Sequence, residues 1–388
     1  MQDIKKYFYD ILGYYLSDSK VSSDYSKNEK DLKEIAKSSF CFPFLCEAGD
    51  AFNLEISEDM KNALLQIVTY NYRNLSVQKE IITKLSANNI PCAVIKGASI
   101  SVDYPNPILR PLGDVDLLVP TEDYEKSIDL LIGSDERNRL SELHKFHYQF
   151  VKNGISIEIH KSVSSFDSTE NSIKEYMEDA LNHIEENNID GFNFPVLKKD
   201  YQAITLLMHT KRHYFENKLN PRMLCDWAMF IDKTDACLWN NEIYPTLERL
   251  NMNKWADALS SVCNQFINIS CCDKIHSFCD KVTVDRLADE FISDCTSLHD
   301  MCMKNEGNKK QVYSLYNIIS LLNDIATRDF KIARCKPLLP LLWIIIAIRY
   351  IYRRKIGLRG KMDMLEYGSK YNEKYRLFNE INNMKGIS

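Results

Sequence analysis

Apolar residues recur at steps of three and four positions across residues 60–85, which is the period of an amphipathic helix. Ser57 precedes this stretch and is followed by two acidic residues, so we expect Ser57 to cap the helix N-terminus. Residues 1–50 also show helical patterns, with a polar break at residues 17–30. The pattern therefore predicts an N-terminal helical segment, residues 1–88, that packs on the part of the chain that follows.

Short apolar runs, typical of strands, replace the helical pattern after residue 89. Residues 92–95 and 114–119 form two such runs, and a helical stretch over 121–131 follows the second. Residues 155–160 alternate strictly between isoleucine and a polar residue, which is the period of a strand with one buried face. We therefore predict an α/β or α+β core with a small mixed sheet in residues 89–199.

The helical period returns at residue 200 and continues to the end of the chain. Asp200 is the expected N-cap of the first helix. The pattern predicts a large helical C-terminal domain over residues 200–388. Its predicted helices lie at or near residues 201–215, 222–231, 242–269, 284–303 and 311–329.

Residues 338–348 contain no charged side chain, and six basic residues follow before the next acid at Asp363. The apolar run is too short to cross a bilayer, which takes about twenty apolar residues. Two interpretations stay open. The run is either a buried core helix or, with residues 338–361 taken together, a helix that contacts an anionic membrane surface.

The net charge of −5 argues against a nucleic-acid partner held mainly by electrostatics, since such proteins carry broad basic surfaces. The first residues carry lysines, Asp10 and several tyrosines, which favour an amphipathic helix over a signal peptide. No C-x-x-C pair occurs among the twelve cysteines, so a zinc ribbon is not expected. We expect a cytoplasmic protein with reduced thiols, with peripheral contact at the inner membrane surface as the alternative.

Candidate chemistry is concentrated in three carboxylates. Asp114 and Asp116 lie two apart in an otherwise apolar strand, so they share one face and repel each other unless a cation lies between them. Glu158 lies on the polar face of the strand at 155–160, and the three converge if the two strands are neighbours. Such a set is suited to two Mg²⁺ ions, or Mn²⁺, in phosphoryl transfer. The alternative is that these acids only face solvent.

A turn upstream of the carboxylates has the residues needed to hold phosphate. Gly97 permits a backbone turn that other residues resist, and the amides of Ala98 and Ser99 follow it at a predicted helix start. Lys96 and Arg110 are candidate cations for the triphosphate and the leaving pyrophosphate.

These motifs together resemble the nucleotidyltransferase superfamily whose best-known member is DNA polymerase β. The chain is more closely similar to a family of uncharacterised bacterial nucleotidyltransferases. The resemblance implies a polymerase-β-like core in which Asp114, Asp116 and Glu158 hold the metals and Gly97 and Ala98 form the nucleotide-binding turn. Its motifs extend over residues 95–97, Arg110, 114–119, 158–160, 206–213, 221–227 and 338–344.

The implied activity is Mg²⁺-dependent transfer of a nucleoside monophosphate from an NTP, such as ATP, to a hydroxyl acceptor, with release of pyrophosphate. The acceptor is left open among small molecules, saccharides and proteins. Ala98 stands where the superfamily usually has Gly or Ser. This departure keeps a second interpretation open, in which the fold is a binding or regulatory module without turnover, antitoxin-like or part of polysaccharide assembly at a membrane.

Further polar residues are candidates for lining a cleft between the core and the helical region. His209 and His213 are four apart on one helix, but the H-E-x-x-H pattern of a zinc protease is missing. Each candidate also has an ordinary structural interpretation. Arg222 and Asp226, for example, are four residues apart, which is the spacing of an ion pair on a helix. The candidates are His160, His209, His213, Arg222 and Asp226.

Overall fold

The fold was analysed in a computed structural model, which describes most of the chain in two compact units. The first unit comprises Met1–Cys302 with Met384–Ser388, and the second comprises Met303–Asn383. The described residues are 2–18, 29–132, 147–163, 170–269, 271–277, 279–293, 339–345, 348 and 364–383.

A mixed six-stranded sheet lies at the centre of the first unit, as expected for an α/β nucleotidyltransferase fold with a helical region. The strand order is β3-β4-β2-β1-β6-β5. The pairs β2–β4 and β1–β6 are parallel, and the other neighbours are antiparallel. The strands are β1 (Ala93–Val94), β2 (Val115–Leu118), β3 (His147–Lys152), β4 (Ile155–His160), β5 (Ile184–Ile189) and β6 (Phe192–Leu197).

The three predicted strands are present, and β4 has the predicted bounds. Its alternation has the expected cause, because Ile155, Ile157 and Ile159 are fully buried in the core between the sheet and the long helix α4. Strands β3, β5 and β6 were not predicted. Two of them, β5 and β6, form a hairpin on the far side of β1, so the sheet is twice the predicted size.

Among the described residues, four α-helices precede the sheet, as the N-terminal pattern predicts. The Ser57 side chain accepts a hydrogen bond from the Met60 amide, so the predicted N-cap is confirmed. The helices are α1 (Gln2–Ser17), α2 (Glu29–Ser38), α3 (Phe42–Glu47) and α4 (Glu58–Ser86). Shorter helices, α5 (Ala98–Ser101), α6 (Tyr124–Ile132) and α7 (Asn171–Met177), connect the strands.

The chain after β6 is helical, but its first cap differs from the prediction. Lys198 is the N-cap residue, whereas Asp200 lies inside the first turn and accepts a hydrogen bond from Tyr176. The predicted helix near 242–269 is interrupted at residues 250–252, and π-helical turns, Trp239–Ile243 and Cys263–Ile267, adjoin its two halves at their outer ends. The helices are α8 (Lys199–Phe215), α9 (Pro221–Lys233), α10 (Ala236–Leu238), α11 (Tyr244–Arg249), α12 (Asn253–Val262) and α13 (Lys281–Ser293).

The second unit is described only in part. Residues 339–345 and 348 are helical, and α14 (Met364–Asn382) follows. The helix predicted at 311–329 and the basic residues at 349–361 lie outside the described residues. Among the helices that are described, none combines the length and the apolar character needed to cross a membrane. The predicted segment boundaries at residues 88 and 199 stay predictions.

Candidate active site

The pairing of β2 with β4 brings the predicted carboxylates together. The two strands are parallel, and their register places Asp116 directly beside Glu158. Asp114 lies one residue before β2. Burial raises the pKa of the Asp114 carboxyl, and the charges of Glu158 and Asp116 raise it further. The three carboxylates therefore share one electrostatic environment, at the start of β2 and within the neighbouring strand β4.

Two nitrogen groups balance the most buried of these acids. Lys96 Nζ donates to Asp116 Oδ1 at 2.6 Å, and His160 Nε2 lies 2.8 Å from the same oxygen. Burial alone would raise the pKa of Asp116, but Lys96 and His160 hold it below its usual range. Asp116 is therefore ionised in the folded protein, and its negative charge is compensated by side chains of the protein itself.

His147 also belongs to the site, although the sequence pattern gave no sign of it. It lies on β3 opposite His160, and its Nε2 is 3.6 Å from Glu158 Oε1. His160 Nε2 is 3.2 Å from the other Glu158 oxygen. Burial raises the pKa of Glu158, but the hydrogen bond with His160 and the field of His147 bring it below its ordinary value. One ligand atom from each of these three residues lies within 4.8 Å of the others.

The Gly97 turn has the predicted special backbone and lies against the main chain of Asp114. Gly97 has φ +60° and ψ −106°, a conformation that residues with a Cβ resist, and it precedes α5. A Cβ at Gly97 would lie 3.7 Å from the main-chain oxygen of Asp114. Ala98 and Ser99 follow as the first residues of α5, and both are buried. The turn and the carboxylates therefore form one continuous site.

Arg110, which the sequence predicts to bind phosphate, instead forms an ion pair with a carboxylate of the protein. Its Nε and Nη2 each donate to one carboxylate oxygen of Asp226 at 2.7 Å, and Tyr104 donates to the same carboxylate. The spacing of four residues suggested an ion pair of Asp226 with Arg222, but Arg222 instead donates to the Pro111 carbonyl oxygen at 2.9 Å. Arg110 and Asp226 thus connect the loop before β2 to α9.

His209 and His213 lie beside the site on the last turns of α8. Their ring centroids are 4.4 Å apart in an edge-to-face arrangement. Burial, and then the positive charge of Lys96, hold the pKa of His209 well below its ordinary value. Burial and the neighbouring Arg212 lower the pKa of His213 to about 4. Both imidazoles are therefore neutral near pH 7.

The donor set fits a hard divalent cation. Mg²⁺ prefers carboxylate oxygens, and Asp114, Asp116 and Glu158 supply them from the adjacent interior strands β2 and β4 and the residue before β2. Burial is the largest cause of the raised pKa of Asp114, and the charges of Glu158 and Asp116 add to it; a cation bound beside these carboxylates would act in the opposite direction. His147 and His160 add imidazole nitrogens, which Mn²⁺ accepts more readily than Mg²⁺ does.

The amino-acid sequence matches one known protein family over more than half of its length. A family model described as uncharacterised nucleotidyltransferase matches residues 39–268. The chain belongs to this family. The match contains the whole sheet, the Gly97 turn, the three carboxylates and helices α8 and α9. No curated protein and no solved structure matches the chain.

Membership in this family supports nucleotidyl transfer in general, and the matched region contains the carboxylates around Asp116. This nucleotidyltransferase region ends before α13 and the second unit, so the family match gives no information on residues 339–348 or α14.

Proposed function

We propose that the protein is a Mg²⁺-dependent enzyme, also active with Mn²⁺, that transfers a nucleoside monophosphate from an NTP to a hydroxyl group. The observation that carries the proposal is the parallel register of Asp116 and Glu158, with Asp114 in the same electrostatic environment. The Gly97 turn upstream and the third acid on a later strand follow the arrangement of the polymerase-β-like superfamily. ATP is one candidate donor, and the acceptor is a small molecule, a saccharide or a protein.

In the proposed reaction the acceptor oxygen bonds to the α-phosphorus, and the bond from that phosphorus to the bridging oxygen breaks, so that pyrophosphate leaves. Asp114, Asp116 and Glu158 would hold the metals, which supply charge stabilisation at the attacking and leaving oxygens. Glu158 accepts the proton of the acceptor hydroxyl. The Gly97 turn positions phosphate oxygens. When the nucleotide binds, the Lys96 ammonium group leaves Asp116 and binds a phosphate instead.

Two observations favour a second candidate function, a module that binds ligands without turnover. The Lys96 ammonium already satisfies Asp116 at 2.6 Å, and Ala98 lacks the hydroxyl that a serine would offer to phosphate. In that case the protein acts through binding, as an antitoxin-like partner or as a component of polysaccharide assembly. A cytoplasmic location is part of both proposals.

Calorimetry with ATP, CTP, GTP and UTP, with and without Mg²⁺, tests the metal–nucleotide site. We expect metal-dependent binding of at least one nucleotide and its loss in Asp116→Asn. Asp129→Asn removes an exposed carboxylate on α6 and serves as the matched control. Binding that is unaffected by Mg²⁺ or by Asp116→Asn would overturn the proposal.

Turnover is tested by transfer of label from α-³²P-labelled NTPs to small-molecule, saccharide and protein fractions of a cell extract. Label that appears in one fraction, and only with intact Asp116, identifies the class of acceptor. Metal-dependent nucleotide binding without transfer to any fraction would favour the module that binds without turnover.

A further inference from the structure

The end of α8 carries a cluster of polar side chains with unsatisfied, buried atoms. Within the described part of the chain, Nδ1 of both histidines, Nε of the arginine and both amide atoms of the asparagine have no hydrogen-bond partner. We call these residues the α8 polar cluster: His209, Arg212, His213 and Asn217. The first three share one face of the helix because they are three and four residues apart.

The presence of so many unsatisfied buried polar atoms in one short stretch needs a physical explanation. Buried polar atoms are nearly always hydrogen-bonded, since leaving one without a partner costs free energy. In the described residues, this nine-residue stretch contains five unsatisfied buried side-chain atoms. Asn217, whose backbone is left-handed at φ +54°, has both its amide donor and its carbonyl acceptor unsatisfied. A polar ligand that contacts this cluster would satisfy these atoms.

The cluster lies beside the carboxylates. Lys96 acts electrostatically on both His209 and His213, and Asp116 acts on His209. Arg212 in turn acts on both histidines. The cluster therefore continues the site from Lys96 along α8.

Within the described part of the chain, the basic side chains in and around the cluster differ in their ion pairing. Lys96 is paired with Asp116, Lys211 with Glu170 and Lys218 with Glu216, all with N···O distances below 3 Å. Among the residues that the structure describes, Arg212 has no carboxylate within ion-pair distance. A guanidinium group offers paired donors whose geometry matches phosphate oxygens.

We infer that the α8 polar cluster binds the β- and γ-phosphates of the nucleotide, with Arg212 as the main contact. This inference rests on the proposed function and assigns to Arg212 the role that the sequence pattern gave to Arg110. Arg110 is committed to Asp226 through two hydrogen bonds, whereas Arg212 has a buried, unsatisfied donor next to the site. The Asn217 amide and the two imidazoles complete the set of hydrogen-bonding groups.

Calorimetry with inorganic tripolyphosphate, ATP and AMP, in the presence of Mg²⁺, tests this inference on the full chain. We expect Arg212→Gln to weaken binding of tripolyphosphate and ATP by about tenfold or more, since it removes a charge-assisted hydrogen-bonding group. Binding of AMP, which lacks the β- and γ-phosphates, should stay unchanged. Lys211→Gln is the control, because its ammonium lies one residue away on the same helix and is paired with Glu170.

A second substitution keeps the test independent of one side chain. Asn217→Asp has nearly the same shape, adds a negative charge and is expected to weaken tripolyphosphate binding as well. Circular dichroism verifies that each variant folds. Unchanged tripolyphosphate affinity in Arg212→Gln, or an equal loss for AMP and ATP, would overturn the inference. The proposed function has a separate test, because metal-dependent NTP binding that is lost in Asp116→Asn does not require Arg212.

A separate observation in the second unit concerns helical residues 339–345 and 348. Their exposed apolar side chains follow helical spacing and form one face, whereas Leu342 is buried. This apolar face consists of Leu341 (62% exposed), Ile344 (60%), Ile345 (41%) and Ile348 (61%). Six basic residues follow in the sequence at positions 349–361, without an acidic residue among them.

We propose that this apolar face lies in the interface of an anionic membrane. The exposed apolar side chains would enter the acyl boundary, and the adjacent basic run supplies charge complementarity to anionic headgroups.

Flotation with vesicles of phosphatidylcholine alone, or mixed with phosphatidylglycerol, tests the proposal on the full chain. We expect binding to the mixed vesicles only, and its loss in Ile344→Ser/Ile348→Ser and in Arg353→Glu/Arg354→Glu. Val282→Ser removes an exposed apolar side chain on α13 and should leave flotation unchanged. No binding to mixed vesicles, or equal binding to both kinds, would overturn the proposal.

Discussion

Lys96 and Asp116 are joined twice, through their side chains and through the adjoining backbone. Lys96 Nζ donates to Asp116 Oδ1 at 2.6 Å, and the amide of the preceding residue, Ile95, donates to the Asp116 main-chain oxygen at 3.1 Å. A cation of the protein therefore occupies the charge-balancing position beside Asp116. A divalent metal at Asp116 has to displace or share this ammonium group.

Removal of that ammonium should make stability depend on the metal. We expect Lys96→Met to lower the free energy of unfolding by about 3 kcal/mol without metal, because Asp116 keeps a largely buried charge with one partner fewer. Mg²⁺ should restore much of this loss by binding only the folded state. Urea unfolding at several Mg²⁺ concentrations measures both effects.

Lys126→Met is the control for this substitution, since the Lys126 side chain is 58% exposed and its nearest carboxylate oxygen is 3.9 Å away. Its stability should stay within about 0.5 kcal/mol of the wild type. If Mg²⁺ stabilises the wild type and Lys96→Met equally, the two cations do not share Asp116.

The bidentate pair of Arg110 and Asp226 predicts a large loss of stability from a substitution on α9. Asp226→Ala leaves the buried guanidinium without its carboxylate and removes the acceptor of Tyr104, so we expect a loss of about 3–5 kcal/mol. Arg110→Met/Asp226→Ala removes both charges and should recover part of this loss, and Arg110→Met alone completes the cycle. Denaturant unfolding of the single and double variants gives the coupling energy, and additive losses would show that the pair does not act as a unit.

Two glycines near the carboxylates provide a matched comparison. Gly97→Ala should cost about 1–3 kcal/mol of stability, because its backbone lies in the left-handed half of φ space although a Cβ would meet no atom closer than 3.7 Å. Gly113→Ala meets nothing within 4 Å and should be neutral within about 0.5 kcal/mol. Thermal unfolding compares the two. Equal melting temperatures for the two variants would show that the turn at Gly97 tolerates a side chain.

The sequence predicts half of the sheet because β1, β2 and β4 are marked by apolar runs or strict alternation. The other strands carry weaker patterns: β5 is largely polar and exposed, and β3 has one fully buried side chain, Phe150. Their turns were better signals. Asn153-Gly154 and Asp190-Gly191 have positive φ at both residues, the geometry of tight hairpins that these dipeptides favour. These two turns would have predicted β3, β5 and β6.

Residues of the candidate site could be predicted where the alternation of a strand determines the face on which a side chain lies. Residues that join the site through contacts between distant parts of the chain could not. Asp114, Asp116 and Glu158 come together as expected because β2 and β4 are neighbours. His147 was missed because its approach to Glu158 depends on pairing between β3 and β4. The partner of Arg110 lies 116 residues away, and no local spacing indicates it.

The two neutral histidines of α8 predict that stability falls in mild acid. Their pKa is lowered in the folded protein, to about 4 for His213, so the unfolded chain binds more protons than the folded one between pH 6.5 and that value. The contribution of the two neutral histidines to the free energy of unfolding is fully present above pH 6.5, and it is lost as the pH falls toward 4. For His213 alone, a pKa lowered from 6.5 to about 4 corresponds to about 3 kcal/mol.

Urea unfolding of the wild type and of His213→Gln between pH 4 and pH 7 measures this dependence. We expect a smaller slope in the variant, because glutamine cannot take up the proton. His183→Gln is the control, since the His183 side chain is exposed and pairs with Asp179. Equal slopes in the wild type and in His213→Gln would contradict the prediction.

The parallel pairing of β2 with β4 also has a consequence for the order in which the protein folds. Asp116 and His160 meet across 44 residues of chain, so the cost of closing that segment precedes any gain from their contact. Local elements such as α4 and the hairpin of β5 with β6 need no such closure. The carboxylate cluster is therefore among the later features to form during folding, and it is complete only once the central strands β2 and β4 have paired.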